Sequence, residues 1–293
     1  MTAGGAIVVV GDAALDVLAR HAGAVVPGGD QPADVRTALG GAGANTAAWL
    51  AWLGERPVLV GRVGDDPAGR QMVADLTAAG VDCSLAVDAA APTCCVVVLV
   101  DGWGERTMLS DRGAGALLRS TDLPPEVLAG GRHLHLSGYV LLDATSREAG
   151  LAMLAAARAA GLSTSVDPQV AAPLPGFLEW VGGVDLLLPN SAELAVLTGS
   201  AEPESAVALL GDVGAVAVTR GAAGAAWVDA DGLVSVAAAP VECVDSTGAG
   251  DAFNAATLVA WLSGAPPLDT IRAGVRAGTA AVGQVGAQPV RTR

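Results

Sequence analysis

The sequence contains no lysine: all 16 of its basic residues are arginines. That excludes a P-loop, which sets a lysine on the bound phosphates, and any mechanism through a lysine Schiff base. A coding bias towards arginine and alanine accounts for the absence, but its consequence stands. A phosphate held by this chain is neutralised by arginine, backbone N–H groups or a metal. Basic charge is scarce altogether, and 30 acidic residues bring the net charge to −14, which argues against a nucleic acid as partner. Long apolar runs are also missing. The mean hydropathy of +0.50 comes from short stretches such as Ile7 to Val10, none near the roughly 18 residues of a membrane span. The N-terminus shows no basic stretch followed by an apolar segment and a cleavage site. A cytoplasmic protein that engages no membrane is expected.

Aromatic residues are 3% of the chain, so a wall for a flat ligand would have to use Trp103, Tyr139 or aliphatic side chains. The cysteines, Cys83, Cys94, Cys95 and Cys243, show neither C-x-x-C pairing nor zinc spacing, and buried reduced thiols are expected. His133 and His135 share one strand face but have no convincing third ligand nearby, so they read as core histidines.

What is present is a chain of 293 residues, a length that suits one large α/β domain with a small appendage. Apolar runs at 6–11, 57–61, 132–137, 162–167, 184–189 and 215–219 read as strands. Stretches at 43–53, 67–79, 144–160, 192–197, 202–210, 248–262 and 268–282 read as helices, and 225–236 as a hairpin around Asp231-Gly232. The alternation implies a parallel, doubly wound sheet with helices on both faces, a three-layer α/β/α sandwich. Two segments break it: 13–40, with Pro27, Gly28 and Gly29, and 92–112, a hairpin around Gly102-Trp103-Gly104. They are expected to leave the main sheet together as a small β-lid, with 1–12, 41–91 and 113–293 as the core. Ligands of open α/β sheets bind beyond the carboxyl ends of the strands, where such a lid would exclude water.

The run with the most chemistry is Asp245-Ser246-Thr247-Gly248-Ala249-Gly250-Asp251-Ala252-Phe253. Small residues opening a long helix let the backbone approach an anion and aim free N–H groups at it. Asp251 at the same end can take a proton from an attacking hydroxyl. An anion hole beside a carboxylate is the main protein machinery of phosphoryl transfer. An ordinary glycine-rich turn would have the glycines and the acid without the rest of the run.

This run resembles the C-terminal signature of the ribokinase-like, or phosphofructokinase-B, carbohydrate kinases, with Ser246 where the family usually has threonine. The resemblance implies that Asp251 is the base and that Gly248, Ala249 and Gly250 form the anion hole. Leu39 to Asn45 is similar to the N-terminal signature, which implies that Gly41 and Asn45 hold substrate hydroxyls, and Asp16 matches an aspartate that binds a diol. The segment Gly61-Arg62-Val63-Gly64-Asp65-Asp66 to Gly69 also resembles the family. Asn190 to Glu193 looks like its Asn-x-x-Glu motif, which implies that Glu193 serves Mg²⁺ through water; a helix cap reads as naturally there. Thr219, Gly221 and Gly224 resemble the nucleotide loop. Gly286 to Pro289 resembles a segment near the adenine pocket, with a monovalent cation such as K⁺ implied against Asp245.

The resemblance spans Gly11 to Pro289 and implies ATP and Mg²⁺ as cofactors, a small-molecule sugar or nucleoside as partner, and a homodimer paired through lid strands. Ala42 stands where ribokinases proper carry lysine, which moves the acceptor away from ribose. The stretch Asp111-Arg112-Gly113-Ala114 resembles a branch associated with nucleoside salvage, so a nucleoside such as pseudouridine stands beside a free sugar. Arg112 reads as a solvated surface charge or as a contact to an anionic acceptor. A dinucleotide oxidoreductase would need G-x-G-x-x-G after the first strand, and Gly-Asp-Ala-Ala stands there instead. A silent binding protein of the same fold would be expected to lose Asp251 or the glycines beside it, and both are present.

Overall fold

Every residue of the first strand is buried, with Val8 and Val10 in one apolar cluster and Ile7 and Val9 in another. Successive strand side chains face opposite ways, so such a strand must be covered on both sides. The computed structural model describes residues 4–103, 106–170, 172 and 174–290.

Its first half runs β1 (Ala6–Val10), β2 (Ala14–His21), β3 (Ala33–Gly40), α1 (Ala42–Trp52), β4 (Pro57–Gly64), α2 (Pro67–Ala78), β5 (Asp82–Asp88), β6 (Cys94–Val100) and β7 (Arg106–Asp111). There follow α3 (Pro125–Ala129), β8 (Gly131–Ser137), α4 (Ala144–Ala159), β9 (Ser163–Asp167), α5 (Phe177–Val181), β10 (Leu186–Leu187) and α6 (Ser191–Thr198). The chain closes with β11 (Ala215–Thr219), β12 (Ala225–Asp229), β13 (Gly232–Val236), α7 (Ala249–Leu262) and α8 (Pro267–Val282).

A nine-stranded sheet has the order β13-β12-β11-β10-β9-β8-β1-β4-β5. It is parallel from β11 to β5, while β12 and β13 join antiparallel, so the sheet is mixed where a parallel one was expected. Helices α1, α2, α7 and α8 pack on one face and α3 to α6 on the other, the three-layer arrangement. From β1 the chain builds outward through β4 to one edge and later through β8 to the other. The order therefore reverses between β1 and β8, the kind of place beside which open α/β sheets bind ligands beyond the strands' carboxyl ends. A separate four-stranded sheet has the order β3-β2-β6-β7 and draws its strands from 14–40 and 94–111. Gly104, in the expected hairpin turn, lies outside the described residues.

Three local readings differ. No strand was expected at β5, an edge strand bounded by aspartates that pairs only with β4. β10 covers two residues of the expected 184–189, since Pro189 has no N–H to continue a ladder. The stretch 203–209, opened by Pro203, is a 3₁₀ turn and not an α-helix.

The segment 61–69 is structural. Arg62 is buried, pairs with Asp88 at 3.0 Å and grips Asp122 through Nε and Nη2. Asp66 caps α2 through Gly69 N–H and accepts from Thr93 N–H and Oγ1. His133 and His135 are core residues. Their ring nitrogens bond Ser163 and Ser165, and burial holds both well towards the neutral form. Among the described residues no three His, Cys, Asp or Glu side chains are grouped to chelate a metal. One cysteine departs from expectation: Cys243 is exposed, in a loop with no apolar strand to bury it, while Cys94 is buried and Cys83 and Cys95 are half-buried.

Candidate active site

Helix α7 starts because Gly248 can take a left-handed conformation, φ 75°, with no side chain capping the first turn. A Cβ at Gly248 would stand 2.3 Å from the carbonyl oxygen of Ala287, so only glycine fits there. The turn is left with N–H groups pointing out of the helix end, and Gly250 faces open space beside them.

Asp251, on the first turn of α7, is buried. Its Oδ2 accepts from Asn45 Nδ2 at 2.9 Å, across the junction of α7 with α1. Asn45 Oδ1 in turn accepts from Gln288 Nε2 at 3.4 Å, and Trp49 Nε1 donates to Ala287 O at 2.9 Å. The C-terminal loop, α1 and α7 thus hold one another. Burial pushes the Asp251 carboxyl up to about 7, with the charges of Asp12 and Asp16 adding to the rise. Hydrogen bonds from Asn45 and Gln169 work against it. A group so placed can exchange a proton near neutral pH.

α1 begins at another glycine with a positive φ, Gly41 at 92°, where a Cβ would stand 2.7 Å from Asp12 O. That close approach brings Asp12, after β1, beside Asn45. Asp12 Oδ1 accepts from Gly43 N–H and Ser137 Oγ, both at 3.4 Å. Asp16, on β2, belongs to the same acidic region: its carboxyl is pushed up to about 6 by burial and then by Asp12.

On the other side of Asp251 lies a polar cavity of about 190 Å³ lined by Asp167, Gln169, Asn190, Glu193, Thr219, Gly250 and Asn254 among others. Asn190 and Glu193 form a reciprocal capping box on α6: Glu193 N–H donates to Asn190 Oδ1 and Asn190 N–H to Glu193 Oε2, both at 2.9 Å. The helix-cap reading and the cavity position therefore hold together. Burial raises Glu193, and raises Asp167 well above the ordinary range, with Glu193 and Asp251 adding to the latter.

A larger, mainly apolar cavity of about 580 Å³ adjoins it, sharing Thr219 and Gly250. Gly221 and Gly224 after β11, Ala249, Phe253, Val275 and the exposed Cys243 also line it. Asp245 lines neither cavity. Its Oδ1 accepts from Thr247 N–H and Oγ1, and its Oδ2 from Gly286 N–H at 3.1 Å, tying the start of the glycine run to the C-terminal loop.

Four neighbours of Asp251 escaped the sequence reading as site residues: Asp12, Asp167, Gln169 and Asn254. Asp167 ends a parallel strand at its carboxyl edge, a signal that was available. Asn254 lies three residues after Asp251 on the same helix face and donates to Asp167. Gln169 had no signal. It is the non-glycine residue with positive φ among the described residues, at 63°, and its Nε2 donates to Asp167 at 2.7 Å. Arg112 is also corrected. It is not a solvated charge: its Nε bonds Asp143 at 2.6 Å and its guanidinium lies 5.9 Å from the Tyr139 ring centre.

The profile described as "pfkB family carbohydrate kinase" matches residues 5–293. The chain belongs to this family. A fructokinase of Klebsiella pneumoniae is 35% identical over 268 residues, covering 87% of this chain and 83% of that one. An ATP-dependent ribose-1-phosphate kinase of Halopiger xanaduensis is 31% identical, over 81% and 79% of the two chains. The crystal structure of adenosine kinase from Sinorhizobium meliloti superposes with a TM-score of 0.88 at 26% identity, over 99% and 97% of the chains. The pfkB fold thus accounts for both sheets and the helix layers, and pfkB members include the sugar and nucleoside kinases that use ATP.

Proposed function

We propose that this pfkB protein transfers the γ-phosphate of ATP to a hydroxyl of a small sugar-like acceptor, with Asp251 as general base. One observation carries the reading: a buried carboxylate, poised to titrate near neutral pH, sits at an uncapped helix N-terminus between an acidic polar region and a large apolar cavity. The apolar cavity with Thr219, Gly221 and Gly224 suits a nucleobase. The polar cavity with Asn190 and Glu193 suits its phosphates and Mg²⁺, and Asp16, Gly41 and Asn45 suit the acceptor's hydroxyls.

The oxygen donors Glu193, Asn190 and Asp167 fit a hard cation, and their raised carboxyls favour a positive charge between them. Among the described residues no third acidic, His or Cys side chain groups with the two carboxylates, so such an ion would be held largely through its own waters. Magnesium, when bound, neutralises charge on the phosphates. Asp245, buried and hydrogen-bonded to its own loop, is the proposed neighbour of a K⁺ ion.

The proposed chemistry is short. Asn45 orients Asp251, and Asp251 takes the proton as the acceptor oxygen bonds to phosphorus and the bond to ADP breaks. N–H groups of Gly248, Ala249 and Gly250 stabilise the charge on the transferring group. The four-stranded sheet is proposed as the lid. Its outer residues Val35, Met108 and Leu109 are more than half exposed, and Trp103 is 82% exposed, which supports pairing with a second copy. The close superposition on adenosine kinase supports a nucleoside as the second acceptor class. A coupled ADP-release screen of pentoses, hexoses, keto-deoxy acids and nucleosides tests the proposal. Acceptor-dependent ADP release is expected, and its absence with every class would overturn the reading.

A further inference from the structure

The base of the four-stranded sheet fixes which charges meet at the acceptor end of the cleft. β2 and β6 pair Ala14 with Cys94, and β6 and β7 pair Cys95 with Asp111. Arg112, the next residue, therefore stands across β6 from the start of β2, and the Cys94 thiol on β6, between them, feels Asp12, Arg112 and Asp16 together. Tyr139 links this group to the base. Its hydroxyl is pushed up to about 12, by burial first and then by the charges of Asp12, Asp251, Asp167 and Glu193. Acidic side chains thus outnumber basic ones around Tyr139, whose ring has Arg112 beside it.

A lone arginine over the Tyr139 ring would make this region a receptor for an anionic acceptor. Arg112 is not alone. Asp143, just after the turn that carries Tyr139, takes its Nε at 2.6 Å. Arg112 is largely covered, with a side-chain exposure of 19%, while Asp143 is 42% exposed and neutralises it from the solvent side.

We propose that the Arg112–Asp143 pair is the charge filter of the acceptor site: it leaves that end of the cleft negative, so the kinase takes uncharged polyols and turns away sugar phosphates and sugar acids. Asp143 is then a specificity-determining residue that acts through Arg112. This rests on the acceptor being phosphorylated at Asp251. It separates acceptor classes that the relatives leave open, since they include both a fructokinase and a ribose-1-phosphate kinase. Like charges brought together inside a low-dielectric cleft repel far more than in water.

The test uses matched pairs, ribose against ribose 1-phosphate and fructose against 2-keto-3-deoxygluconate. Turnover is measured by ADP release, and binding by calorimetry with a non-hydrolysable ATP analogue. In the wild type the neutral member is expected to be favoured at least about tenfold in kcat/KM and in Kd. In Asp143→Asn the ratio is expected to move at least about tenfold towards the anionic member. Adding Arg112→Gln should cancel that move. A second readout needs no variant: discrimination against the anionic member should weaken in the wild type as salt is raised, because salt screens the repulsion. An anionic preference in the wild type overturns the filter. So does a ratio indifferent to Asp143→Asn, a shift that survives Arg112→Gln, or discrimination indifferent to salt. Neutral acceptors that bind more tightly yet are never phosphorylated would support the filter and overturn the phosphotransfer reading instead.

Discussion

At the scale of single residues, the proposed chemistry rests on Asp251 and the amides around it. A base must be ionised to accept a proton, and this carboxyl is pushed up to about 7. kcat/KM is therefore expected to fall about tenfold per pH unit below that value, in a pH profile of the free enzyme. Gln169 lowers the carboxyl by hydrogen bonding, and it does so from a backbone conformation that non-glycine residues rarely adopt. Strain at such a place marks a positioning residue. Gln169→Leu removes the donor, so the acid limb is expected to move to higher pH; an unmoved limb would show that the contact does not tune the base. Glu193→Gln should weaken the response to Mg²⁺ at saturating ATP more than it weakens acceptor binding, and an unchanged magnesium titration would take Glu193 out of the site. The roles proposed for Asp251, Asn45 and Glu193 were suggested by the sequence because each sits in a patterned run. Gln169 was not legible there, because what distinguishes it is a backbone conformation and a bond that only the fold shows, and Asp167 offered no more than its place at the end of a strand.

The elements matter most where α7 begins. Its glycine was legible as an opening for an anion, but not as a packing contact. Only the fold brings the Ala287 carbonyl within 2.3 Å of where a Cβ would be. Gly248→Ala is therefore expected to do two kinds of harm. The left-handed backbone and the clash should cost roughly 1–3 kcal/mol of stability, read as a lower denaturant midpoint. The displaced amides should lower kcat as well. A variant with the wild-type midpoint would mean that the Ala287 loop gives way easily. The main strands and long helices were readable from buried runs and helical periodicity. β5 was not, because an edge strand with polar ends gives little signal, and β10 was curtailed by a proline whose effect depends on its ladder partners.

The whole molecule carries a thermodynamic signature of these buried acids. Asp251 and Asp16 have folded-state values of about 7 and about 6, above the 3.8 of an ordinary aspartate. Between those values the folded protein holds protons that the unfolded chain has released, so these two groups make it less stable as pH rises through that window. Asp251→Asn is accordingly expected to raise the unfolding midpoint, by more at pH 8 than at pH 5. An equal gain at both would mean that Asp251 is not raised. Stability given up at a site in this way is the usual mark of function.

The same substitution decides the chemistry most directly. Single-turnover and steady-state phosphorylation by Asp251→Asn, measured alongside nucleotide binding, tests whether this carboxylate is the base. Expected is a loss of about 10² to 10⁴ in kcat with nucleotide affinity kept within a few-fold. Turnover close to that of the wild type, on an acceptor that the wild type phosphorylates, would contradict the assignment.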